Sequence, residues 1–313
     1  MKKTENKENV RKPRKLEELN LMDDFLFQEM VSQEEGGEEF CRILLGTILG
    51  RTIRKVKVIP QKNILGIDTD KHGIRLDAYI EEVREECELE GVKLIDAEVA
   101  SDIYDIEPNN RYERQLLPKR MRYYHGLIDT QFLAVDMRYD KLPNVVIITI
   151  LPYDPFEKGR MVYTIQNQCV EDGTIPYQDG AKKIFLYTKG TEGNPSQELR
   201  DMLKYMEKTT EDNVTNQDIA NIHKLVRKVK WDRKVGISYM KSWERESIAR
   251  DEGRIEGRIE GRIETILELL GDIGEISSEL EERIAEEENR EVLKRWTKLA
   301  ARADSIAEFE REM

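Results

Sequence analysis

Three stretches decide how this chain folds: Ile103-Tyr104-Asp105-Ile106-Glu107-Pro108-Asn109, Leu117-Pro118-Lys119-Arg120-Met121-Arg122-Tyr123-Tyr124-His125, and Val145-Val146-Ile147-Ile148-Thr149-Ile150-Leu151. In the first, apolar and acidic side chains alternate. A strand does this because successive side chains point to opposite faces. The second opens with a proline, whose fixed φ suits a first helical turn, and then sets Met121, Tyr124, Leu127 and Ile128 on one face. The third is a nearly unbroken apolar run closed by Pro152, as expected of a central strand covered on both sides.

Working outward, Val56 and Val58, then Ile74, Leu76, Ala78 and Ile80, also alternate with polar residues, so strands precede the acidic one. The second of these strands is expected to end near Asp77 or shortly after. Leu19 to Met30 and Phe40 to Leu49 have helical spacing, with Gly36-Gly37 as the break. Residues 81 to 102 are acidic and read as an enlarged hairpin, with Val92 to Ile95 as a candidate short strand. Arg160 to Gln166 and Lys183 to Tyr187 read as further strands, and helices follow from Gln197. The order helix, strands, helix, strand predicts an α/β core. A disordered basic arm is expected over 1 to 18, one domain over 19 to 245, and an acidic helical tail over 246 to 313.

The tail repeats itself. Gly253-Arg254-Ile255-Glu256 recurs at Gly257 and at Gly261, a period of four that lines up rows of isoleucine, glycine, arginine and glutamate. Within one helix this is costly, because like charges meet at i,i+4 and each glycine loses about 1 kcal/mol relative to alanine. A partner helix lying over the glycines would compensate, which points to a homo-oligomer formed through the C-terminal helix. A solvated spacer is the other reading.

Composition narrows the function. The net charge of −12 argues against a uniformly basic nucleic-acid binder. However, residues 251 to 313 hold 10 of the 51 basic and 19 of the 63 acidic residues, which leaves 41 against 44 in the body. Basic clusters recur there at Lys2 to Lys15, Arg51 to Lys57, Arg111 to Arg122 and Lys224 to Lys234. Cys41, Cys87 and Cys169 are too scattered for a disulfide framework or a structural zinc site, which suits a reducing cytoplasm. No apolar run approaches the roughly 20 residues a bilayer requires, so no membrane association is expected. His72, His125 and His223 fit no nucleophile or zinc pattern, and there is no phosphate-binding glycine loop.

What remains is a pair of carboxylates. Asp77 interrupts a strand-like alternation in Gly73-Ile74-Arg75-Leu76-Asp77-Ala78-Tyr79; alone it would pass for a turn residue. Glu107 lies on a second strand-like stretch. Two carboxylates from neighbouring strands can hold one hard cation, since Mg²⁺ takes one or two of them beside waters and phosphate oxygens. Lys119, Arg120 and Arg122 lie in the first turns of a helix beside Tyr123 and Tyr124. There, backbone amides and basic side chains together suit a phosphate, although an amphipathic helix with packed tyrosines has the same pattern.

These segments resemble, in order, those of the recombination-promoting nuclease and transposase family, whose members look like PD-(D/E)XK enzymes. The resemblance is carried by Asp24-Phe25-Leu26-Phe27, Arg75-Leu76-Asp77, Tyr104-Asp105-Ile106-Glu107, Leu117-Pro118-Lys119-Arg120 with Arg122-Tyr123-Tyr124, Tyr153-Asp154-Pro155-Phe156, and Lys183 to Gly190. It spans about residues 19 to 300. It implies a restriction-endonuclease-like core, a mixed sheet flanked by helices, with Asp77 and Glu107 as ligands of Mg²⁺ or Mn²⁺. It also implies DNA as substrate, with hydrolysis leaving a 5′-phosphate. Asn109 stands where the superfamily has lysine or, in this family, glutamine. It would orient the attacking water by hydrogen bonding but adds no charge, so Lys119 or Arg120 is expected to supply one. Lys119, Arg120, Arg122 and Tyr124 would hold the DNA. Glu98 is the rival second ligand, and Asp24 is read as a helix cap or an outer contact to the ion. A degenerate DNA-binding protein of the same fold and a pure assembly module are the competing readings.

Overall fold

The computed structural model describes residues 14–66, 72–82, 102–133 and 138–313. The chain divides into two units, Met1–Ile237 and Ser238–Met313. This division falls inside one long helix, whereas the sequence reading drew its boundary at 245/246. Most of the expected basic arm, the hairpin around Val92 to Ile95, Glu98 and Cys87 lie outside the described residues.

In the first unit, α1 (Asp24–Val31) and α2 (Gly37–Leu49) come first, followed by β1 (Val56–Ile64), β2 (Ile74–Glu82) and β3 (Asp102–Pro108). Next come α3 (Leu117–Asp129), β4 (Asn144–Leu151), β5 (Val162–Gln166), β6 (Ala181–Tyr187), α4 (Gln197–Glu207) and α5 (Gln217–Trp231). The strands form one six-stranded mixed sheet in the order β1-β2-β3-β4-β6-β5, flanked by helices. The fold is therefore α/β. β1–β2 and β2–β3 are antiparallel, β3–β4 and β4–β6 are parallel, and β5 closes the far edge antiparallel to β6.

A parallel pair needs a crossover, and α3 provides it between β3 and β4. Pro118 sits in its first turn, as its sequence suggested. Met121, Leu127 and Ile128 are buried against a core shared with Tyr79, Ile103, Val145, Ile147 and Phe185. Every residue of β4 from Val145 to Leu151 is buried, which accounts for its apolar run.

Two boundaries differ from expectation for tertiary reasons. β2 does not end at Asp77 but continues to Glu82, because Tyr79 and Ile80 pair with Asp105 and Tyr104 and are fully buried. Ordered structure also begins before residue 19: a helical turn covers Leu16–Glu18 with Leu16 buried, and Lys230 Nζ on α5 donates to the carbonyls of Glu17 and Leu19. The break before α2 falls on Gly36, whose φ of +103° is open to glycine at little cost.

α6 (Arg233–Gly271) carries the chain into the second unit, where α7 (Ser278–Ala285), α8 (Arg290–Ala300) and α9 (Ile306–Glu312) follow. Ser277, Asn289 and Ser305 cap these three short helices by accepting backbone amide hydrogens of the first turn. Their apolar faces close over Ile266 and Leu270 of α6, with Leu280, Ile284, Leu293, Trp296 and Phe309 buried between them. No helix among the described residues is long and apolar enough to cross a membrane.

Candidate active site

Tyr79 pairs with Asp105 and Ala78 with Ile106 in the antiparallel β2–β3 ladder. The ladder stops there; Asp77 and Glu107 are the next residues on each strand, near enough that the charge of Asp77 raises the Glu107 carboxyl. Asp105, two residues before Glu107, projects to the same face as Glu107. Three carboxyl groups are thus gathered where the sheet meets α3.

Their environment is short of positive charge. Glu107 is 5 % exposed, and burial, followed by the charge of Asp77, pushes its carboxyl up to about 8. Asp105 is fully buried and is raised well above the ordinary carboxylate range, by burial first and then by Glu107 and Asp77. No N–H or O–H among the described residues donates to either of its oxygens. Its interaction is with the Glu107 carboxyl, so one proton held between the two acids is the physical consequence. Asp77 is partly buried and also raised by burial; a hydrogen bond from Gln28 opposes this, and Asp24 on α1 adds to it.

The compensating cation is Arg120. Its Nη2 lies 3.8 Å from Glu107 Oε2 and its Nη1 is ion-paired with Glu113. The guanidinium also lies over the Tyr124 ring, 5.9 Å from its centroid. Tyr124 feels the cluster: burial first and then Glu107 push its hydroxyl up to about 12. Lys119, one residue earlier, is exposed, as is Arg122. The charge near Glu107 therefore comes from Arg120 rather than Lys119.

Asn109 follows the end of β3, anchored by its amide N–H donating to the Ile150 carbonyl at 2.8 Å. Its Oδ1 accepts from the Arg111 amide at 2.9 Å, while its Nδ2 is buried with no acceptor among the described residues. The Arg120 Nε is in the same state. Folded proteins pair nearly all buried polar atoms, and exceptions collect at functional sites. Here two unspent donors lie on Asn109 and Arg120, beside an acid pair, Asp105 and Glu107, whose own interaction is with each other.

Among the described residues no three His, Cys, Asp or Glu side chains form a ready-made metal cluster. Asp77 and Glu107 make a two-carboxylate arrangement, the number a magnesium ion takes when waters and phosphate oxygens complete its shell. An excess of buried acid over base, with donor-free carboxylate oxygens, fits a hard divalent cation. Neither of two cavities, of about 340 and 350 Å³, touches these residues; they lie beside Arg160 and Glu192, and beside Glu38 and Arg54.

Asp24 is not the cap of α1. The cap position is Asp23, with Asp24 the first helical residue, exposed, its charge felt at Asp77 and Glu107. Asp154 of the Tyr153–Phe156 segment has a structural role: it accepts from the Phe156 and Gly159 amides and the Tyr163 hydroxyl. His125 Nε2 lies 3.0 Å from the Lys182 carbonyl, and burial holds its ring down to about 4. Two participants escaped the sequence reading. Asp105 could have been found by its i,i+2 spacing from Glu107; Gln28, whose Nε2 donates to Asp77 Oδ1, left no local sign.

No family model, curated protein or solved structure matches the chain.

Proposed function

We propose that the protein is a divalent-cation-dependent DNA endonuclease of the PD-(D/E)XK type, allied to the recombination-promoting nucleases whose ordered segments it resembles. The observation that carries this reading is the nearness of Asp77 and Glu107 on adjoining strands β2 and β3, where the charge of one raises the other's carboxyl and Arg120 reaches Glu107. Asp77 and Glu107 would hold Mg²⁺ or Mn²⁺, an ion that supplies phosphate polarisation and a lowered pKa for its bound water.

The chain's own side chains account for the rest. The Asn109 amide offers Nδ2 to orient the attacking water. Arg120 offsets the negative charge that grows on the phosphate, and its remaining Nε–H is a donor in reserve. Lys119 and Arg122, exposed on the first turns of α3, suit the DNA backbone, with Tyr124 fixing the Arg120 plane. Backbone contacts of this kind position a duplex without reading its bases. The test is nicking of a supercoiled plasmid. We expect the wild type to nick with Mg²⁺ or Mn²⁺ and not with EDTA, and Asp77→Ala to be slower by about 100-fold or more. Equal nicking by Asp77→Ala would sink the assignment.

One observation favours a second reading, a DNA-binding protein of this fold that has lost hydrolysis: Asn109 stands where a charged residue would assist the reaction. DNA binding that persists without nicking in Mg²⁺ or Mn²⁺ is its signature.

The same proposal assigns the tail to self-association. Ile248 and Ile255 lie two helical turns apart on one face of α6, 52 % and 41 % exposed. Lys241, Arg245, Glu252 and Glu256 flank that face on one side, and Glu244, Asp251, Arg258 and Arg262 on the other. Each flank changes sign along the helix, so a second copy meets opposite charges. Two linked active sites are what double-strand cleavage needs.

A further inference from the structure

We propose that Gln28 and Gln61 are positioning residues that hold the Asp77 carboxylate in the orientation a cation requires, an inference that rests on the reading of Asp77 as a ligand.

Gln28 Nε2 donates to Asp77 Oδ1 at 3.1 Å, and Gln61 Nε2 donates to Gln28 Oε1 at 2.6 Å. The order of donors and acceptors is dictated at one end. An ionised carboxylate can only accept, so the Gln28 amide must present its NH₂ to Asp77 and its oxygen to Gln61. The relay joins α1, β1 and β2. By engaging one oxygen it restricts rotation of the carboxylate. Outer partners act on metal ligands in this way, orienting them without touching the ion.

The backbone at Gln61 is the independent observation. Its φ is +49°, in the left-handed region that disfavours any side chain except glycine's hydrogen. Pro60 pairs with Ala78 and Lys62 with Leu76, but the intervening pair, Gln61 with Asp77, is missing from the ladder. The ladder is interrupted at the one position opposite Asp77 and resumes in the same register.

A purely structural purpose does not account for this. Gln61 is exposed, so water would satisfy its amide equally well, and an exposed amide–amide hydrogen bond returns little net stability. Left-handed strain on a non-glycine residue costs more than that bond returns. Glycine would relieve the strain, yet the chain keeps a side chain that reaches Gln28. Strain of this kind collects at sites that need a group held against its preference.

The experiment measures Mn²⁺ binding to the full-length protein by titration calorimetry, alongside thermal melts without metal. Gln28→Ala should weaken Mn²⁺ binding about tenfold, and Gln28→Glu further, because it sets an acceptor and a like charge against Asp77. Gln61→Gly should weaken it by about threefold or more while melting no lower than the wild type. That opposition of stability and affinity is the signature of positioning. Unchanged affinity in Gln28→Ala and Gln61→Gly overturns the proposal while the ligand reading stands, provided Asp77→Ala binds more weakly than the wild type. A lower melt for Gln61→Gly also overturns it, since Gln61 would then be a structural residue. Wild type that fails to bind Mn²⁺, or Asp77→Ala that binds as the wild type does, overturns the ligand reading and this inference together.

Discussion

Glu107 and Asp105 occupy adjacent same-face positions on β3, both buried and both acidic, with Arg120 as the counter-charge beside them among the described residues. For Glu107 the folded value of about 8 lies above the ordinary 4.5, so the folded state binds its proton more tightly than the unfolded state does. The associated stability is complete below about 4.5 and is lost as pH rises through about 8. Glu107→Gln keeps the shape and removes the charge. It should melt above the wild type by roughly 5 °C at alkaline pH, with the gap closing in acid. Thermal melts across this range check the point, and a gap that does not vary with pH would contradict it. Arg120 and Lys119 should also separate. Arg120→Ala removes a charge beside the chemistry and should lower cleavage by about 10-fold or more. Lys119→Ala should weaken DNA binding only modestly and reduce its salt slope by about one. Rates and binding isotherms at several salt concentrations distinguish the two.

At the scale of elements, the turn after β6 packs backbone to backbone against the segment before β5. Gly190 closes the turn after β6, and a Cβ placed there would lie 2.5 Å from both the Cα and N of Met161. Backbone cannot rotate out of the way as a side chain does. Gly190→Ala should cost about 1–3 kcal/mol, seen as a lower urea midpoint with an unchanged slope. A midpoint like that of the wild type would mean that the turn yields freely. The helix α3 was legible because Pro118 and the Met121–Ile128 stripe are local signals. The alternation through Ile80 already carried β2 past Asp77, but its last residues to Glu82 are held only by pairing with β3. Asp24 misled: it begins the helix, and Asp23 holds the cap position, without a capping hydrogen bond to its side chain.

For the whole molecule, the acidic balance is concentrated in the unit that carries α6 to α9, which leaves the sheet unit nearly neutral. On the proposed reading, that distribution is what would let a chain of charge −12 approach a polyanion. The glycine row of α6 faces open space: a Cβ at Gly253, Gly257 or Gly261 meets nothing within 4 Å. Ile259 and Ile263 pack on the core of their own unit, while Ile248 and Ile255 remain exposed. Ile248→Asp with Ile255→Asp should bring the light-scattering mass of the full chain down to 36.7 kDa, that of one copy. Alanine at the three glycines should leave the mass unchanged and raise helix stability by about 1 kcal/mol per site. A mass unaffected by the aspartates would remove this face from the interface.

Residue order alone determined the α/β class, the strands at Val56, Ile74, Ile103 and Val145, the helix at Pro118, the repetitive tail, and Asp77 and Glu107 as the acids to watch. The strands, the helix and the tail rest on periodicity or on a turn signal contained within a few neighbouring residues, whereas the two acids stood out as carboxylates on strand-like stretches and through the family resemblance. Only the tertiary structure decided that Asp77 comes near Glu107, that Arg120 and not Lys119 reaches the acids, that Asp105 is buried without a donor, and that Gln28 and Gln61 lean on Asp77. Register between strands and docking of a helix are agreements between distant segments. A shift of one residue in either would leave every local pattern intact while turning these side chains to the wrong face.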